Sequence, residues 1–290
     1  MKISNKWGVP DAILRAAQND TYSMGRADIS VTTLIGSPRI NILKKVHKDS
    51  IERDVTDEIW SLLGRGVHAI LERAGDEHVV EERLFATIDG WVLSGAMDLQ
   101  KIDANHVEII DYKVTSTYSY TSNPEGKSEW TAQLNIYRWL VHKVKGYEVE
   151  RINICAIFRD WAKRNLNNYN YPPVPIMMIE LPIWDIAETE RYIKRRIRLH
   201  QQAALLAAMD EPLPHCTPDE RWIRDEKWKV FKPGGKRALR TFNSEAEAQE
   251  FIDNYECDLT LERAGGNPIR CEHYCAVADF CDQWQGERNG

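Results

Sequence analysis

Six residues between positions 68 and 137 have types and spacings that could work on a phosphodiester: His68, Asp98, Asp111, Lys113, Gln133 and Tyr137. Two carboxylates brought close together repel unless a cation sits between them. Oxygen ligands that leave room for retained waters suit Mg²⁺ or Mn²⁺. Such an ion can hold a phosphodiester oxygen and lower the pKa of a water for in-line attack. Lys113 could orient that water or neutralise charge as it develops. An acidic residue two before a lysine recurs at Glu125-Gly126-Lys127 and Asp225-Glu226-Lys227. The order and setting of the six residues therefore carry the reading, not the three-residue pattern.

The elements that must position them can be read from periodicity. Asp98 lies in an apolar-rich run from Trp91 to Ile102, which reads as a strand. Asp111 and Lys113 end a second run, Val107 to Val114, and the link Asp103-Ala-Asn-His106 is turn-like. The two runs are predicted to pair as a hairpin. Residues i and i+2 on a strand share a face, so Asp111 and Lys113 project together and Asp98 faces them from the neighbouring strand. Asp57 to Arg73 has helical spacing, with Thr56 as its N-cap and Gly75 as its stop. Gly64 and Gly66 each cost about 1 kcal/mol in a helix interior and would let another backbone or a DNA strand approach. His68 on that helix would by itself read as a surface histidine. With the carboxylates downstream it reads as a metal ligand. Glu82, in the strand-like segment Val79 to Ile88, is a further candidate carboxylate. Its alternative is an exposed strand position. Gln133 and Tyr137 share one face of a helix from Ser128 to Lys143, where they could contact phosphate or metal-bound water.

The order helix, strand, strand, strand, helix, strand, with these residues on it, resembles the RecB-type nucleases of the PD-(D/E)XK superfamily. The CRISPR-associated RecB-like exonucleases belong to the same group, and the phage-encoded members are the most similar. The resemblance covers residues 30–290. It implies an α/β (α+β) fold: a restriction-endonuclease-like core with a central mixed sheet flanked by helices, plus a C-terminal metal-cluster segment. It also implies His68, Asp98 and Asp111 as ligands of Mg²⁺ or Mn²⁺, Lys113 as the catalytic lysine, and Gln133 with Tyr137 as the helix motif that follows. The implied activity is a metal-dependent DNA exonuclease acting at DNA ends with a single-strand preference, in phage or prokaryotic recombination and repair. Water attack on phosphorus that expels the 3′-oxygen leaves a 5′-phosphate. The alternatives are a structure-specific endonuclease and a non-catalytic DNA-binding or assembly protein. The intact Asp98, Asp111 and Lys113 favour an enzyme.

A second constellation lies near position 280. Cys271, Cys275 and Cys281 have C-x3-C-x5-C spacing and need a fourth ligand to close a tetrahedral site. Candidates are Cys216, Cys257 and His273, with Cys155 less suited because it lies in an apolar strand-like run. The loop position of Cys216 between prolines favours it. The resemblance implies a [4Fe–4S] cluster held by these three cysteines and a distant fourth. In many relatives the distant cysteine precedes the core, and residues 32–39 contain none. Four thiolates also suit Zn²⁺. Disulfides are not needed in a chain long enough to build its own core.

Composition sets the outer bounds. The chain has 290 residues, 43% of them hydrophobic, with a net charge of −6. That charge argues against a protein that coats DNA generally, though not against local basic patches. The candidate patches are Lys44-Lys45 with Lys48, Lys194 to Arg198, and Lys227 to Arg240. No apolar run reaches the length of a membrane helix, and no apolar stretch follows the first seven residues, so a cytoplasmic location is expected. There is no glycine loop of the ATP-binding kind, so a helicase or recombination partner would be a separate protein. The expected organisation is a nuclease core with N-terminal helices over 1–209, a hairpin–helix insertion over 210–260 and a cysteine-rich segment over 261–290. In the insertion, strands from Trp228 and to Phe242 flank a Gly-rich turn, and Ser244-x-x-Glu247 opens a helix. Trp222, Trp228, Phe231 and Phe242 read either as that unit's core or as a finger stacking single-stranded bases.

Overall fold

The computed structural model describes residues 2–19, 23–74, 79–103, 106–223, 225–255 and 258–289. Gly75, Ala104, Asn105 and Cys257 from the sequence reading lie outside the described residues. Two compact units are present, Met1–Leu213 and Pro214–Gly290.

The first unit runs β1 (Lys2–Ser4), α1 (Asp11–Gln18), β2 (Ile29–Ser30), α2 (Val31–Ile35), α3 (Pro38–Val46), β3 (Glu52–Asp54), α4 (Ile59–Arg73), β4 (Val79–Ile88), β5 (Trp91–Asp103), β6 (His106–Thr115), α5 (Thr117–Thr121), α6 (Ser128–Lys145), β7 (Glu148–Phe158), β8 (Ile176–Glu180) and α7 (Ile186–Ala208). Its central sheet is mixed, in the order β2-β5-β6-β7-β8, with β4 on the other edge of β5. β4, β5 and β6 are antiparallel neighbours, whereas β6 and β7 are parallel. A parallel pair needs a long crossover, and α6 supplies it. This helix is buried almost all round, from Trp130 through Leu134, Ile136, Trp139 and Leu140. It forms one core with Leu93, Met97 and Ile109 of the sheet, with Leu34 of α2, and with Ile193 and Ile197 of α7.

Two local details set the site. Asp89-Gly90 joins β4 to β5 with φ of 46° and 79°. Positive φ at both central residues defines a two-residue hairpin turn whose twist matches the strands, and it fixes the register at Ile88↔Trp91. Helix α4 starts later than the sequence suggests. A 3₁₀ turn, Val55–Glu58, precedes it, and Asp54 is the cap, accepting the Thr56 N–H at 3.1 Å. Asp54 takes this role because the chain is still extended there as it leaves β3.

The second unit contains β9 (Lys227–Phe231), β10 (Arg240–Phe242), α8 (Glu245–Asp253), β11 (Thr260–Ala264), α9 (Ile269–His273) and α10 (Asp282–Asn289). The strands form an antiparallel sheet in the order β10-β9-β11. Ser244 caps α8 by accepting the Glu247 N–H at 3.3 Å. Strand β11 was not anticipated, because Thr-Leu-Glu-Arg-Ala has only one large apolar residue. Trp222 does not join the hairpin: its ring meets Tyr274 at 5.4 Å, with Arg270 over it at 5.2 Å.

Candidate active site

The ladder between β5 and β6 stops at Leu99↔Ile110. The next pair would set Asp98 directly against Asp111, and like charges in that position are destabilising. The strands part there, and β5 is met further along by β2, at Leu93 and Ser94. Where they part, the backbone of Tyr112 meets side chains from other elements. Its N–H donates to Asp98 Oδ2 at 2.7 Å, and its carbonyl lies 3.1 Å from His68 Nε2. One residue between Asp111 and Lys113 thus fixes two side chains from two other elements. With Nε2–H donating to that carbonyl, Nδ1 of His68 faces Asp98 Oδ1 at 3.5 Å and Glu81 Oε1 at 3.8 Å. Second hydrogen bonds of this kind set the tautomer of a ligating histidine.

Asp111 is buried and held on two sides. Gln133 Nε2 donates to its Oδ1 at 3.0 Å and lies 2.9 Å from the Tyr137 hydroxyl. Lys113 Nζ pairs with Oδ2 at 2.7 Å. The i, i+4 pair on α6 therefore braces the carboxylate strand. Gly95 makes that approach possible, because a Cβ there would lie 2.7 Å from Leu140 and 2.9 Å from the Tyr137 ring. Burial pushes the Asp111 carboxyl above its ordinary range, against the pull of Lys113. Burial also works against the Lys113 charge, but Asp111 outweighs it and Lys113 stays protonated. Asp98 first, then Glu81, raise the His68 imidazole to about 10. This excess of negative charge around one histidine is the electrostatic setting of a cation site.

Glu81, not Glu82, completes the cluster. One ligand atom each from His68, Glu81 and Asp98 lie within 4.8 Å of one another. Asp111 is not within that span of all three. Glu81 has φ of 51° and interrupts the ladder between Val80↔Leu99 and Glu82↔Met97. A non-glycine residue in this region costs about 1–2 kcal/mol, and such strain gathers at functional sites. Glu82 turns elsewhere. It accepts from Gln100 Nε2 at 2.7 Å and pairs with Lys145 of α6. A sequence signal for Glu81 existed. The Asp89-Gly90 turn pairs Ile88 with Trp91, and seven residues back along each strand Glu81 stands opposite Asp98. The donor set of one imidazole nitrogen and carboxylate oxygens fits a hard divalent cation.

In the second unit none of Cys216, Cys271, Cys275 and Cys281 is in a disulfide. Gln283 clamps the backbone of Cys216 from both sides: Oε1 accepts its N–H at 2.8 Å and Nε2 donates to its carbonyl at 3.3 Å. That brings Cys216 beside the segment of Cys281. Burial raises the Cys275 thiol, and Cys271 and Cys281 lie near enough to add to the effect. Arg221, paired in two places with Glu287, also bonds Cys271. Zn–S bonds of about 2.3 Å put tetrahedral sulfurs about 3.8 Å apart. Among the described residues no three of these sulfurs come within 4.8 Å of one another. His273 is exposed and pairs with Glu272. Cys155 lies in β7 of the first unit, between Tyr112 and Met178.

The crystal structure of SSO0001 is 19% identical, with a TM-score of 0.45, and covers 64% of this chain and 84% of its own. A "Putative exonuclease" from Eubacterium rectale is 13% identical, with a TM-score of 0.31, and covers 69% of this chain and 73% of its own. No protein of curated function matches. The family model of the PD-(D/E)XK nuclease superfamily matches residues 43–282, a span that takes in α4, strands β4 to β8 and the cysteines near position 280. The chain belongs to the PD-(D/E)XK nuclease superfamily.

Proposed function

We propose that this chain is a metal-dependent deoxyribonuclease of the RecB type that hydrolyses phosphodiester bonds at DNA ends, preferring single strands and leaving 5′-phosphates. The observation that carries the reading is the convergence of His68, Glu81 and Asp98 beside the Asp111–Lys113 ion pair. His68, Glu81 and Asp98 would hold Mg²⁺ or Mn²⁺, with Asp111 facing the same ion. When bound, the ion supplies a Lewis acid for a phosphodiester oxygen and an acidified water. The remaining work falls to the chain itself. Tyr112 fixes Asp98 and the His68 ring through its backbone. Gln133 holds one oxygen of Asp111, which leaves the other facing Lys113. Lys113 keeps its proton and sets a positive charge where the phosphoryl oxygens gain negative charge. It is also placed to orient the attacking water. Attack on phosphorus breaks the bond to the 3′-oxygen, which leaves as the hydroxyl end.

The RecB-type assignment, the action at ends and a phage or prokaryotic recombination setting rest on the motif order of His68, Asp98, Asp111-x-Lys113 and Gln133-x3-Tyr137. In the second unit, Cys216, Cys271, Cys275 and Cys281 would hold a [4Fe–4S] cluster, favoured by the four thiols and by the clamp on Cys216. Among the described residues no helix is long and apolar enough to cross a membrane. The test is incubation with end-labelled linear and circular DNA, single- and double-stranded, with Mg²⁺, with Mn²⁺ and with EDTA. Metal-dependent loss of linear single strands with circles intact is expected. Cleavage of circles would replace the exonuclease with an endonuclease, and no cleavage with either metal would sink the reading.

A further inference from the structure

We propose that the uncovered face of the β10-β9-β11 sheet is a second DNA contact, made to duplex DNA. The inference rests on the nuclease reading only for its class of ligand.

Register decides which side chains are available. Val230 pairs with Arg240 and Leu261, and Trp228 pairs with Phe242 and Arg263. Val230 is fully buried, as is Ala248 of α8. Phe242 meets the Phe251 ring at 5.3 Å, and Phe251 meets Tyr255 at 5.4 Å. The side chains of Trp228, Val230, Phe242 and Leu261 therefore lie on the face that α8 covers. Alternate strand residues point the other way. Lys227, Lys229, Phe231, Thr241, Thr260 and Glu262 fall on the opposite face.

Charge is segregated in the same sense. From Lys227 to Phe242 the sequence holds six cations and no carboxylate, in a chain of net charge −6, and of the six only Arg240 falls on the α8 face, as Arg263 of β11 also does. Helix α8 holds Glu245, Glu247, Glu250 and Asp253 and no cation. Lys232, Lys236 and Arg237 are exposed at the hairpin turn. Glu262, opposite Lys229 in register, is the one acid among the strand residues of the open face. A polyanion is thus drawn to the sheet side of this unit and repelled from the helix side. Sequence-independent DNA binding depends on such local cations, since the net charge of the whole chain opposes it.

The strand geometry and the aromatic packing favour duplex over single strands. Strands lie about 4.8 Å apart, so this three-stranded sheet is about 10 Å wide. The major groove is about 12 Å wide and admits a β-ribbon. Binding to unpaired bases relies on free aromatic faces. Here Phe242, Phe251 and Tyr255 are committed to one another on the α8 side, with Arg240 over the Phe242 and Phe251 rings, and Phe231 is the single aromatic among the strand residues of the open face.

The experiment uses the full chain in EDTA, so that binding is read without cleavage. A variant carrying Lys229→Gln, Lys232→Gln, Lys236→Gln and Arg237→Gln is compared with the parent by fluorescence anisotropy. The probes are a 30-bp duplex and a 30-nucleotide single strand, titrated over a range of salt. Each lost phosphate contact lowers the slope of log K against log salt by about 0.9, so a fall of about 3–4 is expected, with duplex affinity at 0.1 M salt down at least about tenfold. Single-strand affinity should change less than about threefold. If the fourfold variant does not fold, Arg237→Gln alone should still lower the slope by about 1. Glu245→Gln with Glu247→Gln on the helix side should not weaken duplex binding. Unchanged duplex affinity and slope would overturn the proposal, as would a loss confined to single strands. Cleavage of single strands with Mn²⁺, measured in parallel, reports on the nuclease reading separately.

Discussion

Replacing Glu81 tests the site most sharply, because its neighbour Glu82 is a built-in control. Glu81 has φ of 51°, which costs a residue with a Cβ about 1–2 kcal/mol. Glycine removes that strain but loses about 0.5–1 kcal/mol through its looser unfolded chain. Glu81→Gly should therefore be as stable as the parent or more stable, by up to about 1.5 kcal/mol. In a domain of this size that is a rise of at most about 6 °C in Tm, measured in EDTA. The same change removes a carboxylate 3.8 Å from His68 Nδ1, so cleavage of a labelled single strand should fall about 10²-fold or more at a fixed low Mn²⁺ concentration. Glu82→Gln should do the reverse. It breaks the partly exposed pair with Lys145, costs up to about 1 kcal/mol and leaves the metal dependence alone. Equal damage from both variants, or a Glu81→Gly protein that is destabilised yet fully active, would refute the reasoning.

Asp111→Ala and Lys113→Ala should each lower the cleavage rate about 10²-fold or more with DNA affinity in EDTA retained, and near-parental rates would remove them from the site. Burial holds His200 neutral, down to about 4, while the unfolded chain takes up a proton below its ordinary value of 6.5. Stability is then lost as pH falls from 6.5 through 4, by about 3 kcal/mol at most. Denaturant melts of a His200→Gln variant should show a flatter profile in that window, and identical profiles would dismiss the effect. Anaerobically purified protein should be brown with about four irons per chain, and Cys216→Ala should lose most of that iron. Colourless protein with stoichiometric zinc would reject the cluster.

By itself the sequence determined the order of elements, and with it the likeness to a nuclease family. Alternating apolar strands and the i, i+4 pair Gln133–Tyr137 were legible because they depend on local periodicity. Asp111 and Lys113 were legible as a pair because i and i+2 on a strand share a face. Even Glu81 was within reach, since the Asp89-Gly90 turn fixes its register against Asp98. It was missed because Glu81 and Glu82 are adjacent and chemically alike, and only the positive φ of one separates their directions. What tertiary structure alone decided was the parting of β5 from β6 at Leu99 and Ile110. Asp98 and His68 meet the two backbone groups of Tyr112 at the point where the ladder ends. No side-chain pattern encodes where a ladder ends. It follows from β2 and β6 sharing one edge of β5, a matter of long-range packing.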